Sequence, residues 1–154
     1  MIIKEVASFL KKEKFLNIAT TGSSNRPNVA PKFLLKIDNG VIHLADYVKN
    51  ATLMNIKINP KVSLSFINTN NLKGYQINGV AEVIDRGPVY NKLLKEYEKK
   101  QVEFSTERLI DSLHDEKTQR SFEVEFPSNV VILKIKINEV VEIGLRGNLE
   151  REAV

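Results

Sequence analysis

The chain has no cysteine and no tryptophan, and only two histidines among its 154 residues. The lack of cysteine excludes disulfides, thiolate metal sites and a cysteine nucleophile. His43 and His114 lie about seventy positions apart with no second ligand at metal-binding spacing, so no metal site is predicted. The serines lack a nucleophile-elbow context, and the paired carboxylates are typical of surface charge. No residue is therefore predicted as a catalytic acid, base or nucleophile.

The sequence also has no apolar run long enough to span a membrane. Charges interrupt residues 1–5 too early for a signal peptide, so we expect a cytoplasmic protein without a membrane partner. The hydrophobic content of 42% and the charged content of 27% are typical of folded globular proteins. The length suits one domain over residues 1–154.

The net charge of +4 hides an uneven distribution of charge along the chain. Residues 1–100 carry 16 Lys or Arg against 8 Asp or Glu, whereas residues 101–154 carry 7 against 11. The basic part favours a phosphorylated ligand or, without specificity, nucleic acid. Because no recognised nucleic-acid motif accompanies the lysines, we interpret them as solvated helix faces and expect no nucleic-acid partner.

Apolar spacing predicts a mainly β chain with flanking helices. Short or alternating apolar runs predict strands at 15–21, 27–37, 41–45, 61–68, 74–85, 130–137 and 140–145. Helical spacing predicts helices at 2–13, 50–58, 88–102 and 105–116, the last capped by Ser105, followed by a loop at 117–129. Asn39-Gly40 is typical of a tight hairpin turn. Six or seven short strands favour a small antiparallel β-barrel over a parallel α/β sheet.

The turn between the third strand and the following helix is the strongest candidate for a binding site. Lys49, Asn50 and Thr52 crowd the helix N-terminus, where unpaired backbone N–H groups and the helix dipole favour an anion. An ammonium and a hydroxyl at that place are suited to hold a phosphate. A plain Asn cap beside a solvated lysine explains the same residues.

The order of these segments resembles the pyridoxamine 5'-phosphate oxidase-like family of FMN-binding split barrels. The resemblance covers about residues 3–95 and also suits the two late strands. It implies an antiparallel split β-barrel that forms a homodimer and binds FMN at the subunit interface. It places the flavin ring along the second strand and the phosphate near the start of the helix after the third strand.

The resemblance also implies which residues bind the cofactor. The ring would lie beside the second strand with Lys32 near its polar edge, although a strand lysine pointing to solvent explains Lys32 equally well. Gln76 offers both a donor and an acceptor, as the pyrimidine edge of a flavin requires. The implied cofactor-binding set is Val29, Ala30, Lys32, Phe33, Ala45, Asp46, Lys49, Asn50, Thr52 and Gln76.

The sequence departs from the family pattern in two places. Full-length pyridoxamine phosphate oxidases carry an Arg-Lys pair at the phosphate, and these positions are Ala51 and Thr52 here. Loss of a bidentate guanidinium removes a strong phosphate contact, for which Lys49 offers a substitute charge. The chain also lacks the family's C-terminal segment of Trp, Arg and Pro. Pyridoxamine phosphate oxidase activity is therefore not expected.

The function predicted from the sequence is that of an FMN-dependent oxidoreductase acting on a small molecule. One alternative is a deazaflavin-dependent reductase on the same barrel, and another is a flavin carrier or electron-transfer module without a substrate pocket. A remote alternative is a basic barrel that binds nucleic acid. The sequence does not distinguish the substrate or the reductant among these classes.

Overall fold

The computed structural model of the chain describes residues 1–113 and 129–154. Three helices are present in these residues: α1 (Ile2–Leu10), α2 (Ala51–Ile58) and α3 (Pro88–Leu113). The strands there are β1 (Phe15–Thr21), β2 (Pro27–Asp38), β3 (Val41–Tyr47), β4 (Lys61–Asn68), β5 (Lys73–Ile84), β6 (Val130–Ile143) and β7 (Leu149–Ala153). The described helices include none that is long and apolar enough to cross a membrane.

The strands form one antiparallel sheet that closes into a six-stranded barrel. The sheet order is β3-β2-β1-β4-β5-β6-β7, and an additional pairing of β3 with β6 closes the barrel. β7 pairs only with the last third of β6 and lies outside the closed ring. The predicted antiparallel split barrel with six or seven strands is confirmed.

The backbone freedom of asparagine and glycine explains a tight turn and a bulge in the sheet. Asn39 and Gly40 both have positive φ, 47° and 75°, in the tight turn that joins β2 to β3, as the sequence predicted. The β5–β6 register shifts between Asn78 and Gly79, which leaves Asn138 as an extra residue of β6. A Cβ at Gly79 would lie 2.5 Å from the Lys136 carbonyl oxygen, so only glycine fits this bulge.

The core has two parts. The barrel interior is filled by aliphatic side chains from all six barrel strands, with α1 and α2 packed against it through Val6, Leu10, Leu53 and Ile56. A second cluster lies where α3 covers the outer face of the barrel, and it joins Leu35, Ala45, Leu93, Tyr97, Val130 and Ile132. Alternation along β2 and β3 directs neighbouring residues to the two clusters in turn.

Four predicted segments are wrong in detail. The helices predicted at 88–102 and 105–116 form one helix, α3, so Ser105 lies inside it and caps nothing. Neither Gly nor Pro interrupts residues 89–113, and propensity therefore allows a continuous helix. The strands predicted at 130–137 and 140–145 are one strand, β6, which ends at Ile143 and carries a bulge at Asn138 where the prediction separated them.

The remaining differences concern the ends of the chain. β7 was not predicted, because Leu149–Ala153 carries three charges and little apolar alternation. α1 ends at Leu10 instead of residue 13. His114, the predicted helix end at 114–116 and the predicted loop at 117–129, apart from Asn129, lie outside the described residues.

Candidate functional site

The first half of β2 is bound by a neighbouring strand on one side only. β1 pairs with β2 from Pro27 to Phe33, whereas β3 pairs with β2 only from Phe33 onward. Pro27 and Pro31 lack an N–H and are therefore tolerated in this half. The arrangement leaves a backbone edge open beside α2, where a ligand can meet β2 directly.

A buried polar network lies at the end of β3. Asp46 Oδ1 accepts hydrogen bonds from Lys32 Nζ, the Tyr47 backbone N–H and Asn50 Nδ2, each at 2.7 Å. The Asp46 side chain is fully buried and that of Lys32 is 9% exposed. A buried ion pair of this kind is stable only when its remaining hydrogen bonds are made.

That condition is not met at the second carboxylate oxygen. Asp46 Oδ2 is buried and has no hydrogen-bond partner among residues 1–113 and 129–154. An unpaired buried acceptor costs about 1–3 kcal/mol. Asp46 is also among the residues that line a pocket, so a ligand there would lie next to this half-satisfied carboxylate.

The start of α2 is organised by Asn50. Its side-chain oxygen accepts from the Leu53 backbone N–H at 2.9 Å, so the predicted Asn cap is present. Thr52 is buried, and its hydroxyl oxygen accepts from Asn28 Nδ2 of β2 at 3.2 Å. Lys49 precedes the cap and makes no ion pair with the described residues.

A pocket of about 260 Å³ lies between α3 and strands β1 to β3. Its walls are aromatic rings in edge-to-face contact. The Phe15 ring lies 5.8 Å from Phe33 and 5.9 Å from Phe104, and Phe33 lies 5.6 Å from Tyr97. The rings fix one another, because each is held by at least one neighbour from another element.

Two uncharged polar side chains of α3 also line this pocket. Tyr97 is 5% exposed, and burial together with the neighbouring Tyr47 raises the pKa of its hydroxyl to about 12. It therefore stays a neutral phenol at physiological pH. Gln101 follows one helical turn later on the same face. The described charged residues in the lining are Lys32 and Asp46, which neutralise each other.

Several of the sequence-predicted site residues meet at this place. Lys32, Phe33, Ala45 and Asp46 line the pocket, and Asn50 is bonded to Asp46. Thr52 faces β2 through its bond with Asn28. Val29 lies exposed in the open half of β2, next to the half-buried Ala30.

Gln76 lies elsewhere on the barrel surface. Its Nε2 donates to Asn78 Oδ1 at 3.0 Å, within a polar row that continues through Glu139 to Arg151. It does not line the pocket between α3 and β1 to β3. The predicted set therefore forms one group on β2, β3 and α2, with Gln76 separate on β5.

Sequence reasoning missed the contribution of α3. Tyr97, Gln101 and Phe104 recur at the spacing of one helix face, and this is the signal that marks them. This signal was not recognised because two separate helices were predicted, the first ending at Val102 and the second beginning at Ser105. Phe15 and Tyr47 were likewise missed, since only the packing of β1 and β3 against α3 brings them together.

Similar proteins agree with this architecture. An FMN-binding, pyridoxamine 5'-phosphate oxidase-related protein from Nostoc punctiforme superposes with a TM-score of 0.63 at 16% identity, over 98% of this chain and 95% of that one. HupZ of Group A Streptococcus gives 0.65 at 18% identity, over 94% and 96%. These likenesses show a shared fold.

Sequence comparison identifies the family. The chain is 35% identical over 101 residues to an uncharacterized protein of Methanocaldococcus jannaschii, covering 64% of this chain and 66% of that relative. It thus matches just under two thirds of that relative's length. The sequence profile of pyridoxamine 5'-phosphate oxidase matches residues 2–142. Because that match spans nearly all of the chain, the protein belongs to the pyridoxamine 5'-phosphate oxidase family.

Proposed function

We propose that the protein binds FMN and is a flavin-dependent oxidoreductase acting on a small molecule. Family membership supports a flavin, and an FMN-binding relative shares the fold. The observation that carries the proposal is the buried Asp46 carboxylate, whose Oδ2 lacks a donor beside a pocket. FMN offers such donors in the ribityl hydroxyls and the N3–H of its ring. FMN, when bound, supplies the electron or hydride transfer.

The residues present fit the parts of FMN in order. The open half of β2, with Val29 and Ala30, offers backbone to the ring, and the Lys32–Asp46 pair would contact polar groups of the ribityl chain or ring. The first N–H groups of α2 and Lys49 suit the phosphate. Asn50 holds this turn in place through its bonds to Asp46 and Leu53.

The phosphate site carries less charge than the family pattern provides. Ala51 has no polar group, and the Thr52 hydroxyl is turned toward Asn28. Lys49 is then the main cation for the phosphate, and a single ammonium binds more weakly than a bidentate guanidinium. We therefore expect an FMN that dissociates more readily than it would from a relative with the Arg-Lys pair.

We further propose a homodimer with the cofactor site at its interface, each subunit being one domain over residues 1–154 in the cytoplasm. Exposed apolar side chains surround the open half of β2 and both ends of α2, namely Val29, Tyr47, Val48, Met54 and Ile58. Several exposed apolar side chains around one segment of the surface are typical of an interaction surface. In a dimer, a polar residue remote from the site, such as Gln76, can reach the partner's cofactor.

The proposed dimer is tested by light scattering coupled to gel filtration. The wild-type protein should elute as a dimer, and Met54→Lys should shift it toward monomer and weaken FMN binding. Val89→Lys is the matched control, because Val89 is a similarly exposed apolar residue but lies at the start of α3. A monomeric wild-type protein would overturn the interface.

The proposed cofactor is tested by the visible spectrum of the purified protein and by identification of any released chromophore. We expect flavin bands and FMN, and Lys49→Ala should weaken FMN binding about tenfold, as loss of a charged hydrogen bond does. Lys57→Ala is the control, since Lys57 lies at the other end of α2.

The outcomes separate the candidate functions. If the released chromophore is a deazaflavin, the protein is a deazaflavin-dependent reductase on the same barrel and FMN is not its cofactor. Bound FMN without any reduction or oxidation of small-molecule substrates would indicate a flavin carrier. A colourless protein that fails to bind added FMN, yet retains oligonucleotide in a salt-dependent way, would favour the basic nucleic-acid-binding barrel.

A further inference from the structure

We propose that the pocket between α3 and strands β1 to β3 is the substrate site, and that it takes an uncharged aromatic molecule of one or two rings. This inference rests on the proposed function, because it assigns the substrate class of the same flavoprotein. The inference follows from the size of the pocket, the polarity of the residues that line it and the mutual neutralisation of its charged pair, Lys32 and Asp46.

The size of the pocket limits the ligand. At about 260 Å³ it is smaller than the roughly 300–1,000 Å³ of pockets that hold drug-sized ligands. It is therefore too small to enclose a whole FMN, for which the adjoining open half of β2 offers room. A ring that enters the pocket meets Phe15, Phe33 and Phe104, whose edges and faces favour another aromatic ring.

The polar groups of α3 are suited to orient such a ring. Tyr97 is a neutral phenol that forms no hydrogen bond with the rest of the described chain, and its hydroxyl can donate to a carbonyl, hydroxyl or ring nitrogen. The Gln101 amide, one turn later, provides both a donor and an acceptor. Together they recognise an uncharged polar substituent at one edge of the ring.

The charges of the pocket exclude an anionic ligand. Lys32 is nine-tenths buried and forms an ion pair with Asp46 at 2.7 Å. Its charge is therefore already neutralised and is not available to an anionic ligand. Lys14 lies 4.6 Å from the Phe104 ring centre and forms an ion pair with Glu107. A phosphate or carboxylate in the pocket would lose its hydration without gaining a cation, which is unfavourable. Phosphorylated pyridoxamine is therefore a poor ligand for this pocket.

The experiment compares two probes that share a ring and differ in charge. Titration calorimetry of the FMN-loaded protein with 2-naphthol and with 2-naphthoate should show binding of 2-naphthol and at least tenfold weaker binding of 2-naphthoate. Pyridoxal 5'-phosphate is the third probe and should bind as weakly as 2-naphthoate. FMN binding is measured separately on each variant by its absorption and fluorescence.

Three variants locate the binding. Tyr97→Phe should weaken 2-naphthol about threefold to tenfold, as loss of one hydrogen bond does. Gln101→Lys should reverse the preference toward 2-naphthoate by placing an unpaired ammonium in the pocket. Asn91→Lys is the matched control, because it makes the same amide-to-ammonium change on α3 about ten residues away, outside the pocket lining. It should leave both affinities unchanged.

The outcomes distinguish the two proposals. If FMN binds but 2-naphthol does not, or 2-naphthoate binds equally well, the substrate class is overturned and the flavoprotein stands. If FMN fails to bind, the proposed function falls, and the assignment of the ring as a flavin substrate falls with it. If the Asn91→Lys protein changes preference as the Gln101→Lys protein does, net charge explains the selectivity and the pocket assignment is wrong.

Discussion

The two ends of strand β6 both carry a buried carboxylate nearby, but only the carboxylate of Asp46 has a buried oxygen without a hydrogen-bond partner in the described residues. Near the C-terminal end, Glu142 pairs with Lys73 at 2.7 Å, and the adjacent Tyr75 hydroxyl donates to Glu5 at 2.7 Å. The Tyr75 ring also stacks 4.9 Å from Phe66, which stacks in turn on α1.

The N-terminal end of β6 lies beside Asp46, which is paired in register with Val131. Here one carboxylate oxygen accepts three hydrogen bonds and the other accepts none from the described residues. The contrast indicates that a buried carboxylate paired by a cation of the same chain, such as Glu142, has a structural role. A buried charge left half satisfied beside a pocket is a place for a ligand.

The largest effect is expected from breaking the ion pair at the open end. Lys32→Met leaves the Asp46 carboxylate buried without its cation, which should lower the free energy of unfolding by about 3–5 kcal/mol. Urea denaturation of the ligand-free protein measures this. Lys73→Met at the closed end should cost less, because water already reaches Lys73.

The double variant Lys32→Met with Asp46→Leu controls for packing. It should recover most of the lost free energy of unfolding, since no unpaired charge remains. If Lys32→Met and Lys73→Met destabilise the protein equally, the difference between the two ends of β6 is not energetic and the comparison fails.

Next in size is the effect of Asp46→Asn on FMN binding. The substitution keeps the size of the side chain and removes its charge, so a ligand O–H or N–H that donates to Oδ2 loses a charge-assisted bond. FMN affinity, measured by fluorescence titration, should fall about tenfold. Glu142→Gln, the same change at the closed end, should leave FMN affinity unchanged, and an equal loss there would contradict the assignment.

Alkaline pH should act on both ends of β6. Burial and nearby Tyr47 raise the pKa of Tyr97 to about 12, whereas an unfolded tyrosine ionises near 10.0. Between these values the folded state holds more protons than the unfolded state, so stability falls as pH rises from 10 to about 12. Burial and the bond to Glu5 raise the pKa of Tyr75 in the same direction.

Urea midpoints measured below and above pH 10 test this, with the wild-type protein as the reference. Tyr97→Phe and Tyr75→Phe should each flatten the decline, and only Tyr97→Phe should also affect 2-naphthol binding. A Tyr97→Phe protein that declines as steeply as wild type would show that this phenol ionises freely in the fold.

The smallest effect concerns His43, whose Nδ1 is also buried without a partner in the described part of the chain. Burial, with nearby Lys36 and Lys134, lowers the pKa of the imidazole below 6.5, while Glu96 and Asp38 oppose this. Stability should therefore fall as pH falls below 6.5, because the unfolded state takes up the proton first. An NMR titration of the His43 ring measures the pKa directly, and a value above 6.5 would contradict the prediction.

His43 is a control for Asp46. Each has a buried side-chain atom without a partner among the described residues, but only Asp46 lines the pocket. His43 does not line the cavity between α3 and β1 to β3, and two lysines flank it. We expect His43→Gln to leave FMN affinity unchanged. An effect as large as that of Asp46→Asn would mean that an unpaired buried atom alone does not mark the ligand site.

Much of the fold could be predicted from the sequence because its signals are local. The Asn39-Gly40 turn and the two-residue period of β1, β4 and β5 depend on neighbours along the chain, and these elements were predicted within a few residues. The order of the elements indicated the family, and Asn50 was identified as a possible cap. Where the apolar pattern was interrupted at Asn138 and Glu139, one bulged strand was predicted as two strands.

The sequence by itself thus determined an antiparallel barrel of the pyridoxamine 5'-phosphate oxidase family and placed Lys32, Asp46 and Asn50 among the candidate site residues. Only the tertiary structure decided that these three share one hydrogen-bond network, that Gln76 lies apart, and that Tyr97, Gln101 and Phe104 of α3 complete the pocket. The physical reason is that burial and hydrogen-bond partners depend on which distant segments meet. The spacing of residue types along the chain does not specify which distant segments come into contact.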